Sequence, residues 1–216
     1  MKRIYLLVEG QTEEAFVNEL LAPHYLRVDI YLTPIIVSTS PGHRGGVVSY
    51  AKIKPQIQRL CLQDSGAYVT TLFDLYALPN DFPGKARPAY PSTGCGRSKA
   101  QFLEAEFAKD VGLRNFVPNL LVHEFEALLF VELDAFAPWT DDDSVLEPLR
   151  KVRHRTAPEE INDAPNTAPS KRILAAWAGY QKTFHGPLIA CDIGLDAMRR
   201  ACPHFDNWLR TIEALV

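Results

Sequence analysis

An unbroken apolar run, IYLLV, ends at Glu9-Gly10-Gln11, and apolar residues then return at Phe16, Val17, Leu20 and Leu21. The run predicts a strand over 4–8 buried on both faces, and the 3–4 spacing after it predicts one face of a helix over 12–21, with Gly10 as the turn. A second apolar segment, 30–37, is interrupted by Pro34 and leads into SPGHRGG, where glycines and proline exclude regular structure. Helical spacing resumes over 48–62, with Pro55 restricted to a helix start or a kink. YVTTLFD, 68–74, is rich in β-branched and aromatic residues and reads as a strand. A loop rich in Pro and Gly, LYALPNDFPGKARPAYPSTGCG, precedes a helix expected over 99–111, with Ser98 as N-cap and Gly112 as stop. A further strand is expected over 115–122 despite Pro118. It delivers HEFEALLF, in which Phe125, Leu128 and Leu129 suit a helix face.

Strand and helix alternate up to about residue 130, the pattern of an α/β core with a mainly parallel sheet. Beyond that point the strand signal fades. The segment 140–155 swings from TDDD to RKVRHR, 157–169 holds three prolines, and SKRILAAWAGY, IGLDAMRRA and PHFDNWLRTIEAL read as helices. The expectation is one domain over 1–216, with a core over 1–130 and a mostly helical elaboration over 131–216 packed on it. Apolar faces at Ile173, Leu174 and Trp177, and at Phe205, Trp208, Leu209 and Ile212, need a partner, and the sheet is the one available. No internal repeat is visible.

Composition narrows the function classes only slightly. The 216 residues are 47% hydrophobic and 23% charged, values ordinary for a globular protein. The formal net charge of -3 means that any binding of nucleic acid or phosphate relies on a local basic patch. The four cysteines form no CxxC pair, so they read as core or incidental thiols. The first apolar run is too short for a signal peptide and no segment nears membrane-spanning length, so a cytoplasmic protein is expected, with no membrane partner.

Candidate chemistry lies at the strand ends. Ligands of open parallel sheets sit outside the carboxyl ends of the strands, where Glu9, Asp74 and the acids of His123-Glu124-Phe125-Glu126 would converge. Converging carboxylates repel one another unless a cation neutralises them, and an all-oxygen site suits Mg²⁺ or Mn²⁺. Each acid also has a structural alternative. Glu13 and Glu14 fall in a first helical turn, favoured by the helix dipole, and Glu9 and Asp74 are placed to accept hydrogen bonds from amides. His123 has the alternative of a satisfied core histidine. Glu126 lies three residues after it, a spacing that shares a helical face. Arg44, Lys85, Arg87, Lys171 and Arg172 are candidate phosphate contacts, whereas the run from Arg150 to Arg155 reads as a solvated helix face.

VEGQTEEAF after an apolar strand resembles the first motif of Toprim domains, especially those of overcoming-lysogenization-defect nucleases. VEGQTE, FDLYALPNDFPG, HEFEALLF, EEINDAPNTAPSKRI, IGLDAMR and CPHFDNWL together resemble the domain-of-unknown-function 4276 family, a prokaryotic Toprim-like group, over nearly the whole chain. The resemblance implies a Toprim-like α/β core in which Glu9 and Glu13 match the acids of the first motif. Asp74 matches the first acid of the second motif, and Tyr76 stands where that motif has its second acid. It implies a divalent-metal-dependent phosphodiesterase or nuclease with Glu9 and Asp74 as ligands of Mg²⁺ or Mn²⁺; the third ligand is expected from Glu124 or Glu126, with Glu126 favoured because His123 would share its helical face. Glu13 would then be base or second ligand, and of the basic residues in the sequence Lys171 or Arg172 is the expected phosphate clamp. The implied substrate is nucleic acid, DNA ahead of RNA, in a phage-defence setting with an ATPase partner protein. The alternative is a non-catalytic subunit that binds nucleic acid or an ATPase.

Overall fold

The computed structural model describes residues 2–40, 43–44, 49–76, 78–140, 142–161 and 166–215. Its frame is a parallel sheet in the order β2-β1-β5-β6, with β7 also on β5. The strands are β1 (Lys2–Val8), β2 (Ile30–Ile36), β5 (Tyr68–Asp74), β6 (Phe116–Val117) and β7 (Leu120–Leu121); β3 (Ser38–Ser40) and β4 (His43–Arg44) form a separate two-stranded ribbon. The fold is α/β, with helices on both faces and further helices at the carboxyl-terminal end.

Period-two side-chain alternation in β1 produces two cores. Ile4, Leu6 and Val8 face one of them, together with Phe16, Phe125, Phe205 and Trp208, while Leu7 faces the other with Ile53, Phe73 and Phe107. A strand apolar at consecutive positions is what a sheet covered on both faces requires. Helix α1 (Gln11–Phe16), a π-helical turn (Val17–Leu21) and α2 (Ala22–Leu26) cover the first face, and α3 (Tyr50–Gln63) and α4 (Gly96–Val111) cover the second. The chain passes from β1 to β2 on one side and returns to β5 on the other. The switch point of the sheet therefore lies between the carboxyl ends of β1 and β5.

Several boundaries differ from expectation for identifiable reasons. Pro34 sits within β2, opposite Leu6, because β2 is the outermost strand of the path and its missing donor faces no ladder partner. Pro55 lies inside α3 rather than at its start; it is exposed, as is Ala51, whose carbonyl loses its helical donor at a solvated position. Helix α4 begins at Gly96, three residues before the expected start, with Cys95 as its N-cap and Gly112, at φ 69°, as its stop. The strand expected over 115–122 is two bridges in one register, split by Pro118 and Asn119. At the split the Thr71 hydroxyl donates to the Asn119 carbonyl (2.7 Å) and accepts from its N–H (3.0 Å), replacing the missing ladder bonds.

The carboxyl-terminal half consists of 3₁₀ turns (Phe125–Val131, Leu133–Trp139, Asp143–Val145 and Pro158–Glu160) and helices α5 (Leu146–Arg155), α6 (Pro169–Ala176), α7 (Lys182–Ile193), α8 (Leu195–Ala201) and α9 (Pro203–Glu213). Helix α9 buries Phe205, Trp208, Leu209 and Ile212 in the core shared with β1, and the Trp208 indole N–H donates to the buried Thr70 hydroxyl at 2.9 Å. On α6, Ile173 is buried while Leu174 is exposed. Among the described residues no helix is long and apolar enough to cross a membrane.

Candidate functional site

The switch point carries Glu9 just past β1 and Asp74 as the last residue of β5. They are joined through the backbone: Glu9 Oε1 accepts the Asp74 N–H at 2.7 Å, and Asp74 Oδ1 accepts the Phe125 N–H at 2.9 Å. One oxygen of each therefore has the structural role of satisfying a strand-end or turn amide. The second Asp74 oxygen, Oδ2, lies 3.9 Å from the ammonium of Lys182.

Lys182, the first residue of α7, gathers the remaining acids. Its Nζ stands 3.2 Å from Glu126 Oε2 and 3.9 Å from Glu13 Oε1. Helix α7 reaches this position because it packs closely on α1 and the turn after β7. At Gly186, one turn beyond Lys182, a Cβ would lie 3.1 Å from the Tyr180 hydroxyl, 3.2 Å from the Phe125 ring and 3.4 Å from the Thr12 methyl, so glycine is what permits the approach.

Burial decides the electrostatics of this cluster. Glu13, Asp74 and Glu126 are 3%, 6% and 0% exposed. Burial pushes Glu126 up to about 7, opposed by Lys182 and reinforced by Glu124. Glu9 rises to about 8, again chiefly by burial, with the Asp74 amide bond and Lys182 pulling down and Glu13 pushing up. Asp74 is held well above the ordinary carboxylate range by burial against the opposing Lys182, with Glu9, Glu13 and Glu126 adding to the rise. For Lys182, partial burial works against the charge, but Asp74, Glu126 and Glu13 outweigh it and hold the ammonium above its usual range. Both oxygens of Glu126 are buried; Oε2 pairs with the Lys182 ammonium at 3.2 Å, and Oε1 has no hydrogen-bond partner among the described residues. Four carboxyl groups thus share the neighbourhood of one ammonium.

The remaining predicted residues are placed as follows. Glu124 is engaged elsewhere: its carboxylate accepts the Ser170 N–H (2.5 Å) and hydroxyl (3.0 Å), capping the amino end of α6. The shared helical face expected for His123 and Glu126 does not form. His123 adopts φ 69° and Glu124 is extended, so the 3₁₀ turn begins only at Phe125. His123 is buried, and a Cβ on Gly96 would come within 2.8 Å of its ring. Lys171 is exposed on α6 and Glu14 is half-buried on α1. Arg172 donates to the Thr167 carbonyl at 2.6 Å, Lys85 to the Leu78 carbonyl, and Arg87 pairs with Glu106 at 2.9 Å. The Arg44 side chain, and 162–165 of the EEINDAPNTAPSKRI motif, lie outside the described residues. On α5, Arg150 pairs with Asp134 and Glu147, and Lys151, His154 and Arg155 are exposed, as a solvated face requires. Tyr76 is 41% exposed.

Sequence reasoning missed Lys182. Gly186-Pro187 reads as a helix breaker, yet Pro187 occupies the sixth position of α7. The available signal was a lysine ahead of the apolar LIA of the same segment.

Fold and site define a parallel α/β protein with a buried carboxylate cluster at its switch point. The chain belongs to the family described as domain of unknown function (DUF4276), whose model matches residues 8–213. No curated protein and no solved structure matches it.

Proposed function

We propose that the chain is a divalent-metal-dependent phosphodiesterase acting on nucleic acid. The observation that carries this reading is Glu126, fully buried and paired at Oε2 with the Lys182 ammonium at 3.2 Å, beside Glu13 and Asp74 at the switch point of a parallel sheet. Buried carboxylates are costly, and an excess of them over nearby positive charge favours a further cation. The donor set is all oxygen, which suits Mg²⁺ or Mn²⁺. Among the described residues no group of three or more His, Cys, Asp or Glu stands ready-made to hold a metal, and the Lys182 ammonium lies among the acids.

On this reading Glu9, Asp74 and Glu126 hold the cation, which when bound supplies charge stabilisation at a phosphate and a more acidic water. Glu13, at the start of α1, is the carboxylate left to accept a proton from the attacking water. The Asp74 and Phe125 amides fix one oxygen of Glu9 and one of Asp74, so the remaining oxygens are held in orientation. The resemblance to Toprim nucleases supports DNA ahead of RNA, a cytoplasmic setting and an ATPase partner in phage defence. A non-catalytic binding subunit is the second reading, favoured by Tyr76 at the position of the missing acid.

The test is Mn²⁺- or Mg²⁺-dependent cleavage of single- and double-stranded DNA and RNA by the purified chain. Cleavage abolished by EDTA and by Asp74→Asn is expected. A Mn²⁺-dependent rise in melting temperature without cleavage of any substrate would favour the second reading.

A further inference from the structure

The position of Lys182 carries an inference that rests on the metal reading and deepens it. Its ammonium lies 3.2, 3.9 and 3.9 Å from oxygens of Glu126, Glu13 and Asp74, three acids from three different segments. One +1 charge thus faces all three acids that a shared divalent ion would also engage. The side chain as a whole is 41% exposed although its ammonium lies among buried acids, so part of the stem already meets solvent. The close packing at Gly186 holds the helix, not the lysine head, and a long flexible stem lets the ammonium leave while the backbone stays.

We propose that Lys182 is the resident counter-ion of the carboxylate site and is exchanged for the divalent cation: its ammonium balances the acids in the metal-free protein and swings out when metal enters. Two cations cannot occupy the cluster together, because a +1 and a +2 charge a few ångströms apart repel strongly in a half-buried site. Lys182 therefore lowers metal affinity while keeping the empty site folded. It is a positioning residue: it acts through the acids.

The experiment is Mn²⁺ titration, by electron paramagnetic resonance of the free ion, of the wild type, Lys182→Met and Lys182→Arg, alongside thermal melts of each in EDTA and in Mn²⁺. Methionine keeps the stem and removes the charge, and arginine keeps the charge. Lys182→Met is expected to bind Mn²⁺ at least about tenfold more tightly than wild type. It should also melt lower in EDTA and gain a larger shift from Mn²⁺. Lys182→Arg should bind no more tightly than wild type. If the methionine variant is unfolded in EDTA, recovery of a cooperative melt by Mn²⁺ supports exchange, and failure to recover overturns it. Equal or weaker binding by Lys182→Met, with the wild type binding normally, overturns the exchange and leaves the metal reading standing; no binding by any of the three overturns both.

Discussion

Replacing Glu126 by glutamine separates a titrating carboxyl group from the rest of the site. Burial raises this group from 4.5 to about 7 in the folded protein. Because the folded pKa is the higher one, the folded state binds the proton more tightly. Its stabilising contribution is complete below the unfolded value and is lost as pH rises through about 7. The interval from 4.5 to about 7 is equivalent to about 3 kcal/mol, most of it falling between about pH 5 and pH 8. Glu126→Gln abolishes that titration. It also brings a cost that does not vary with pH, since the amide buries two donors, whereas the pairing with Lys182 belongs to the ionised carboxylate and is part of the titration itself. Comparing each protein with itself at about pH 5 and about pH 8 cancels that cost. Urea unfolding in EDTA should therefore show the wild type losing about 2–3 kcal/mol more than the variant over that interval. Equal pH dependence in the two proteins would refute the reasoning, since Glu126 would then not be titrating in a buried environment.

Three further perturbations test separate parts of the structure. Trp208→Phe removes the donor to the buried Thr70 hydroxyl and should cost about 1–3 kcal/mol in urea unfolding, with much of it recovered when Thr70→Val is added; no recovery would mean that indole packing, not the bond, is at stake. Glu124→Ala removes the cap of α6 and should cost about 1 kcal/mol while leaving any Mn²⁺-dependent melting shift intact, so loss of that shift would place Glu124 among the ligands. Gly186→Ala gains about 1 kcal/mol of helix propensity but pushes a methyl to within 3.1–3.4 Å of Tyr180, Phe125 and Thr12, an overpacking cost of about 1–3 kcal/mol, so a lower melting temperature is expected; a stabilised variant would show that α7 has slack.

The sheet was legible in the sequence where local chemistry and tertiary environment agree. YVTTLFD gave β5 with its bounds intact because β-branched and aromatic residues fit a strand packed on both sides. Placing Glu9 and Asp74 at strand ends then followed from the general geometry of parallel sheets. What was not legible depends on prolines whose cost is absorbed by neighbours. The first helix, expected to end at residue 21, continues to Leu26 because the Ala22 N–H reaches the Val17 carbonyl five residues back, a π turn that carries the chain through Pro23. Pro118 splits a strand whose register is carried across the split by the Thr71 hydroxyl and by the Asn119 side-chain amide, which donates to the Thr71 carbonyl. Glu126 was favoured as the third acid on a helical spacing from His123 that does not exist; it reaches Lys182 through the 3₁₀ turn beginning at Phe125. Lys182 itself was hidden because a contact spanning more than 100 residues of chain leaves no periodic trace, and Gly186-Pro187 masks the helix that carries it.

The central claim is that these carboxylates take a divalent cation, and direct Mn²⁺ binding to the wild type and to Asp74→Asn tests it most directly. Asparagine keeps an oxygen to accept the Phe125 N–H but removes the charge facing Lys182. The account predicts saturable binding of about one Mn²⁺ per chain by the wild type, competed by Mg²⁺, and weakened at least about tenfold by Asp74→Asn. Binding unchanged by Asp74→Asn, or none by the wild type at millimolar Mn²⁺, would contradict it.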